Sequence, residues 1–289
     1  MNLIVDSGSS KATWHVSLHG GMSFTMQTTG INPVRDSVES MSDIIRSTRS
    51  RIDSELTHGR AGSLQHDSSF GHVWFYGAGC QQPFAQPLAR LLETAFCNAE
   101  VCVESDLLGA ARALCQHSEG MACILGTGSN SCLYDGTRIV AHTPALGWII
   151  GDEGSGAVLG RTLVGDVLKG QLPENLCRAF LDRFGLTQER IIDAVYRQPQ
   201  PNRFLASLVP FLTEHRTEPS IHDLLVNAFR SFFVRNVAAY SRRDLSVGFV
   251  GGVAYQFENE LREAAHAELF NIGRILKDPM PEMARFHGC

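Results

Sequence analysis

The feature that most constrains the fold is a strand that ends in glycine. The apolar run Met121-Ala122-Cys123-Ile124-Leu125 meets Gly126-Thr127-Gly128-Ser129-Asn130. A turn of small residues after a strand lets backbone N–H groups approach an anion with no Cβ in the way. Ser131 to Tyr134 then reads as a returning strand, followed by a turn at Asp135-Gly136 and a strand from Arg138 to Ala141. The N-terminal region follows the same pattern: Leu3-Ile4-Val5, the turn Asp6-Ser7-Gly8-Ser9-Ser10-Lys11, and an antiparallel return over Thr13 to Leu18. Both are hairpins, not the start of a βαβ unit. Neither a Gly-x-x-x-x-Gly-Lys-Ser/Thr loop nor a Gly-x-Gly-x-x-Gly fingerprint occurs, so phosphate chemistry here needs another scaffold. The repeated strand-turn-strand predicts two α/β domains whose turns face a shared cleft.

Between and after these hairpins the periodicity alternates. From Pro33 to Leu56 the apolar residues Val34, Val38, Met41, Ile44, Ile45, Ile52 and Leu56 recur at helical spacing, and Pro33 suits the first helical turn. A polar loop, Thr57 to His72, leads into the strand Val73-Trp74-Phe75-Tyr76, which stops at Gly77-Ala78-Gly79. A helix through Leu88, Leu91 and Leu92 follows, then the strand Val101-Cys102-Val103 and a helix from Leu107 to Leu114. Ser105-Asp106 falls at that last junction, where an acid serves either as an N-cap or first-turn residue stabilising the helix dipole or as a functional carboxylate. Glu153 to Tyr240 is mainly helical, with breaks near Gly170, Gly185, Pro199 to Pro201 and Pro219. The buried strand Ser246 to Val250 then ends in Gly251-Gly252 before a helix through Phe257, Leu261 and Ala265.

With 289 residues, 44% of them hydrophobic, the chain has the length for two domains and the means to bury a sizeable core. A net charge of −5 argues against nucleic acid or an anionic membrane as the main partner. The start Met1-Asn2-Leu3-Ile4-Val5-Asp6 lacks a basic leader and no stretch has the length of a membrane span, so a cytoplasmic location is expected. The eight cysteines form no Cys-x-x-Cys and no zinc spacing. They read as reduced thiols, with Cys102 and Cys123 as small hydrophobes in strand cores.

Taken in order, these segments resemble the N-acetylglucosamine kinase-like proteins grouped with the BadF/BadG ATPases, in the sugar kinase branch of the actin-like ATPase superfamily. The resemblance covers nearly the whole chain. It rests on Asp6-Ser7-Gly8-Ser9-Ser10-Lys11, on Gly126-Thr127-Gly128-Ser129-Asn130, on Gly251-Gly252-Val253-Ala254, and above all on Gly147-Trp148 through Gly151-Asp152-Glu153-Gly154-Ser155. It implies two ribonuclease-H-like α/β domains around a central cleft, with residues 1–113 and 275–289 in one and 114–274, carrying a helical insertion, in the other. It implies ATP and Mg²⁺ as cofactors, an amino sugar as the small-molecule substrate, and admits a homodimer.

The roles implied by the resemblance follow the needs of phosphoryl transfer, which are charge neutralisation and a positioned acceptor hydroxyl. Asp6 would hold Mg²⁺. Gly8, Ser9, Ser10 and Lys11 would meet the phosphates on one side, Gly126, Thr127 and Gly128 on the other, while Gly251 and Gly252 would approach the adenosine. Asp106 would accept the proton of the attacking sugar hydroxyl. Asn32, Asn130 and Asp152 would contact the sugar, with Gly77, Ala78 and Gly147 lining its N-acetyl side. Asn32, just before Pro33, reads equally well as a turn residue, and Trp148 reads as core. Two other readings stay open at this level. One is an ATPase activating a dehydratase or reductase, which needs clustered cysteines; the other is a catalytically silent sensor of sugar or nucleotide.

Overall fold

The computed structural model describes residues 1–8, 10–18, 20–58 and 69–289, and divides into two units, Met1–Gln116 with Pro279–Cys289 and His117–Asp278. In the first, β1 (Asn2–Ser7), β2 (Lys11–Ser17) and β3 (Ser23–Thr29) form an antiparallel meander. Helix α1 (Val38–His58) leads to β4 (His72–Gly77), parallel to β1; α2 (Ala85–Ala95) then leads to β5 (Glu100–Ser105), parallel to β4, and α3 (Asp106–Cys115) follows. The sheet order is β3-β2-β1-β4-β5. Leu3, Ile4 and Val5 are buried in succession because β1 is central and covered on both faces. At the edge, β3 buries Met26 and exposes Ser23, Thr25, Gln27 and Thr29, so its apolar signal is too thin to be read from sequence.

The helix expected to start at Pro33 starts at Val38 instead. The Asn32 carbonyl accepts from the N–H groups of Arg35 (3.0 Å) and Asp36 (2.8 Å), closing a turn. Ser37 Oγ then accepts from the Ser40 N–H (3.2 Å), the bond of an N-cap that starts the helix. The polar loop expected from Thr57 to His72 falls largely outside the described residues.

In the second unit, β6 (Gly120–Leu125), β7 (Ser129–Tyr134) and β8 (Ile139–His142) form the antiparallel meander. A helical section follows: α4 (Gly147–Ile150), α5 (Gly156–Leu168), α6 (Glu174–Phe184), α7 (Gln188–Tyr196), α8 (Pro201–Ala206), α9 (Val209–Glu214) and α10 (Pro219–Phe232). It closes in a π turn, Phe233–Val237, and a 3-10 turn, Ala238–Tyr240. Strand β9 (Val247–Val250) runs parallel to β6; α11 (Gly252–Gln256) and α12 (Glu258–Ala267) precede β10 (Ile272–Leu276), parallel to β9. The order β10-β9-β6-β7-β8 is the first sheet's order read from the other side. The duplicated architecture is therefore real: each unit is a three-stranded meander extended by two parallel strands.

Met121, Cys123 and Leu125 of β6 join Phe229, Phe232, Phe233 and Phe249 in the core of this unit, with Trp148 packed against it. Cys123 is buried as expected, whereas Cys102 is half-buried because β5 ends its sheet. All eight thiols are free. The terminal helix α13 (Met280–Phe286) belongs to the first unit, where Arg112 of α3 lies 5.1 Å over the Phe286 ring and Trp74 stacks on His287 at 3.9 Å. Among the described residues, no helix is long and apolar enough to cross a membrane.

Candidate active site

In the first unit the candidate residues gather at the C-terminal end of β1, β4 and β5. The β1–β2 turn is tight because the Gly8 N–H donates to the Lys11 carbonyl at 3.0 Å. Gly30 crosses so close that a Cβ there would lie 2.1 Å from the Gly8 carbonyl oxygen. Ser7, buried, holds the crossing: its Oγ donates to the Ile31 carbonyl (3.0 Å) and accepts the Ile31 N–H (2.8 Å). Half-buried Asp6 precedes this lock, and Ser10 and Lys11 are exposed beyond it. Ser9 lies outside the described residues.

The next strand ends in the Gly77-Ala78-Gly79 turn, tied to β1 by the Ala78 N–H to Ser7 carbonyl bond at 2.9 Å. Gly77 is required by packing, since a Cβ would lie 2.6 Å from the Phe75 ring and 2.8 Å from Cys80 Sγ. Gly79 has φ +78° and a Cβ there would meet Asn32 Oδ1 at 2.3 Å. Asn32 Oδ1 in turn accepts the Val34 N–H at 3.0 Å, so this side chain holds the turn before α1, as its position next to Pro33 allowed.

At the start of α3 Asp106 is a first-turn acid and not the N-cap. Ser105 is the cap, its Oγ accepting the Leu108 N–H at 3.2 Å. Asp106 occupies the first helical position, with Oδ1 accepting the Leu107 N–H at 2.9 Å. Burial pushes its pKa up to about 6, against the opposing pull of the Leu107 and Asp106 N–H groups. A carboxylate held in that range is mostly ionised at neutral pH yet basic enough to take a proton.

In the second unit the Gly126–Gly128 turn is fixed to the start of α5. The Gly126 carbonyl accepts the Gly156 N–H (2.8 Å) and the Thr127 carbonyl accepts the Ala157 N–H (3.1 Å). The Gly126 N–H is itself used, donating to the Gly128 carbonyl at 3.0 Å; the N–H groups left for an anion are those of Thr127 and Gly128. Beside the turn lies a cavity of about 530 Å³ whose wall includes Gly126, Thr127, Gly156, Gly252, Val253 and Gln256. Gly251 shapes this wall. Its φ is +126°, and a Cβ would sit 2.3 Å from the Leu125 carbonyl oxygen, so glycine alone lets β9 turn into α11 this close to β6.

Asp152 reaches the same turn from the other side. Its φ is +55°, an uncommon left-handed conformation for a residue with a side chain, and a Cβ on Gly128 would meet its Oδ2 at 3.1 Å. Burial raises its pKa, while the N–H of Ser129 lowers it, the Glu153 charge raises it and the N–H of Gly147 lowers it. Gly147, at φ +76° with open space where a Cβ would go, thus supplies a donor to the carboxyl. Neighbouring Glu153 is occupied structurally, by Arg235 (2.5 Å) and by Asn236 Nδ2 (3.2 Å). Asn130, on β7, has Oδ1 bound to the Ser131 N–H (3.0 Å) and to His142 Nε2 (2.9 Å).

Asp6, Ser10, Lys11, Gly77, Ala78 and Asp106 thus lie in the first unit, and Gly126 to Gly128, Asn130, Gly147, Asp152, Gly251 and Gly252 in the second. The lock of Ser7, the cap of Ser105 and the His142–Asn130 contact escaped sequence reasoning, because each depends on strand register or chain crossing. Only Ser105 had a local signal, a serine just before a helical run. Among the described residues, no group of three or more His, Cys, Asp or Glu side chains is placed to hold a metal ion. Mg²⁺ bound by one carboxylate, water and substrate phosphates needs no such cage, and Asp6 fits that single-carboxylate role.

No family model matches this chain, and no curated protein matches it. Solved structures do. The chain is similar to the putative N-acetylglucosamine kinase from Porphyromonas gingivalis, with 44% identity over 99% of this chain and 98% of that one and a TM-score of 0.91. It shares its fold with the putative N-acetylglucosamine kinase from Chromobacterium violaceum (17% identity, 99% and 98% coverage, TM-score 0.75). It also shares its fold with the ROK hexokinase from Thermus thermophilus (15% identity, 98% of each chain, TM-score 0.52).

Proposed function

This chain belongs to the N-acetylglucosamine kinase-like proteins of the BadF/BadG ATPase family, and on that premise we propose that it transfers the γ-phosphate of ATP to the 6-hydroxyl of N-acetylglucosamine. The observation that carries the nucleotide half of this reading is the cavity of about 530 Å³ walled by the Gly126-Thr127 turn and by Gly252. The Thr127 N–H faces phosphate there, with that of Gly128 beside it in the same turn, and the φ +126° turn at Gly251 admits the nucleoside beside α11. On the first unit, the β1–β2 turn with Ser10 and Lys11 supplies further phosphate contacts. Asp6 would hold Mg²⁺, which when bound neutralises phosphate charge.

The acceptor chemistry falls to Asp106. Its carboxylate takes the proton of the 6-hydroxyl as that oxygen bonds to the γ-phosphorus and the bond from phosphorus to the bridging oxygen of ADP breaks. The helical first-turn position and the bond from the Leu107 N–H to Oδ1 hold the carboxylate fixed for this role. Asn130 and Asp152 contribute a donor and an acceptor to the sugar hydroxyls; a site built from such pairs rejects analogues that leave them unsatisfied. Gly77, Ala78 and Gly147 line the N-acetyl side by backbone approach, and Asn32, whose Oδ1 also holds its own turn, adds a further sugar contact. A cytoplasmic location accords with this use of ATP.

The test is ADP release measured across N-acetylglucosamine, N-acetylmannosamine, glucosamine and glucose, with the phosphorylated position read by NMR. N-acetylglucosamine should give the highest kcat/KM and the 6-phosphate. No ADP release with any sugar removes the kinase reading; release with equal efficiency for glucose removes the N-acetyl assignment.

A further inference from the structure

The polar groups around the β7–β8 edge of the second unit carry one more inference, which rests on the reading of Asn130 as a sugar contact. Asn130 Oδ1 lies 3.0 Å from the Ser131 N–H and 2.9 Å from His142 Nε2. A backbone N–H is only ever a donor, so the atom facing it is the amide oxygen, and the usual ambiguity between the two ends of an asparagine amide is removed. That oxygen has no hydrogen to give, so His142 Nε2 must carry the proton and donate it. The pair is set by register: Cys132 of β7 lies opposite His142 of β8, which puts the imidazole one strand away from a residue two positions earlier in β7.

We propose that His142 is a positioning residue for sugar recognition, which locks the Asn130 amide so that its Nδ2 faces the substrate. With both Oδ1 contacts made, the amide presents only Nδ2 outward, and that group has no hydrogen-bond partner among the described residues. Asn130 then acts as an obligate donor. Its partner on the sugar is an acceptor oxygen, of a hydroxyl or of the acetamido carbonyl, and an amine nitrogen that is protonated at neutral pH cannot replace it. Without His142 the Ser131 N–H alone orients the amide, the side chain samples other rotamers, and each binding event must order it again. The contact of His142 on this side is with Asn130 Oδ1, so the cost of losing it falls on sugar binding.

Calorimetry of the full chain with N-acetylglucosamine, together with steady-state kinetics at saturating ATP, tests this. Asn130→Ala should weaken sugar binding, and His142→Phe should weaken it roughly two- to tenfold, the worth of one net hydrogen bond, with kcat and the KM for ATP unchanged. His142→Gln keeps a donor of similar reach and should recover most of the loss. Nitrogen NMR of the parent should find the Nε2–H tautomer of His142. Unchanged sugar affinity in Asn130→Ala overturns the proposal by removing Asn130 from the site, whether or not the chain phosphorylates sugars. A loss in Asn130→Ala with none in His142→Phe, or an Nδ1–H tautomer in the parent, overturns the positioning role itself.

Discussion

Replacing Asp106 by asparagine should inactivate the enzyme and stabilise it at the same time. Burial raises the Asp106 pKa from 3.8 to about 6, and a shift of this size corresponds to about 3 kcal/mol of differential free energy between the two protonation states. The sign follows from which state holds the proton. Above pH 6 both folded and unfolded chains carry the carboxylate, and the folded state bears the full desolvation cost. Between pH 6 and 3.8 only the folded chain is protonated, so the cost falls as pH falls, and below 3.8 it is gone. Asparagine bears no such charge, and its amide oxygen can still accept the Leu107 N–H. Urea unfolding of parent and variant should therefore show a variant more stable by about 1–3 kcal/mol at pH 8, with the gap closing towards pH 4. Turnover should drop by about 10² to 10⁴ through loss of the base, with ATP affinity within a few-fold. The parent's kcat/KM should fall as pH drops through about 6. A variant with near-parental turnover would refute the base assignment. One with the same stability as the parent at pH 8 would refute the desolvated environment from which the assignment is argued.

Asp152→Ala should lose most sugar affinity and the preference for N-acetylglucosamine over glucose, while ATP affinity holds; calorimetry with both sugars checks it, and unchanged affinity removes Asp152 from the site. Gly251→Ala sets a Cβ 2.3 Å from the Leu125 carbonyl oxygen at φ +126°, and should cost about 1–3 kcal/mol from backbone strain alone, with ATP affinity falling further than sugar affinity; an unaltered denaturation midpoint argues against the close approach. Because all eight cysteines are free thiols, reductant should leave the melting temperature unchanged, where loss of a native disulfide would cost about 2–5 kcal/mol.

Much of this molecule was legible in one dimension because its determinants are local. Runs such as Leu3 to Val5 and Met121 to Leu125, each stopped by a glycine turn, announce buried central strands, and their repetition announces two related units. The glycines of the strand-end turns were legible for the same reason, since backbone approach without a Cβ is a property of the residue itself. Elements whose burial is slight were not: β3 hides one methionine, and the half-buried β10 and short α13 offer too few periodic residues to stand out. Nor could composition decide that helix α1 begins at Val38, because the turn that delays it is made by a carbonyl and a serine hydroxyl, not by hydrophobic spacing. For the site, sequence by itself nominated the candidate residues, through motif order and residue type. Only tertiary structure decided their states: that Ser105 and not Asp106 caps α3, that burial raises the Asp106 pKa, and that His142 faces Asn130. Desolvation, strand register and the direction of a hydrogen bond arise from groups brought together across the chain, and no single segment contains them.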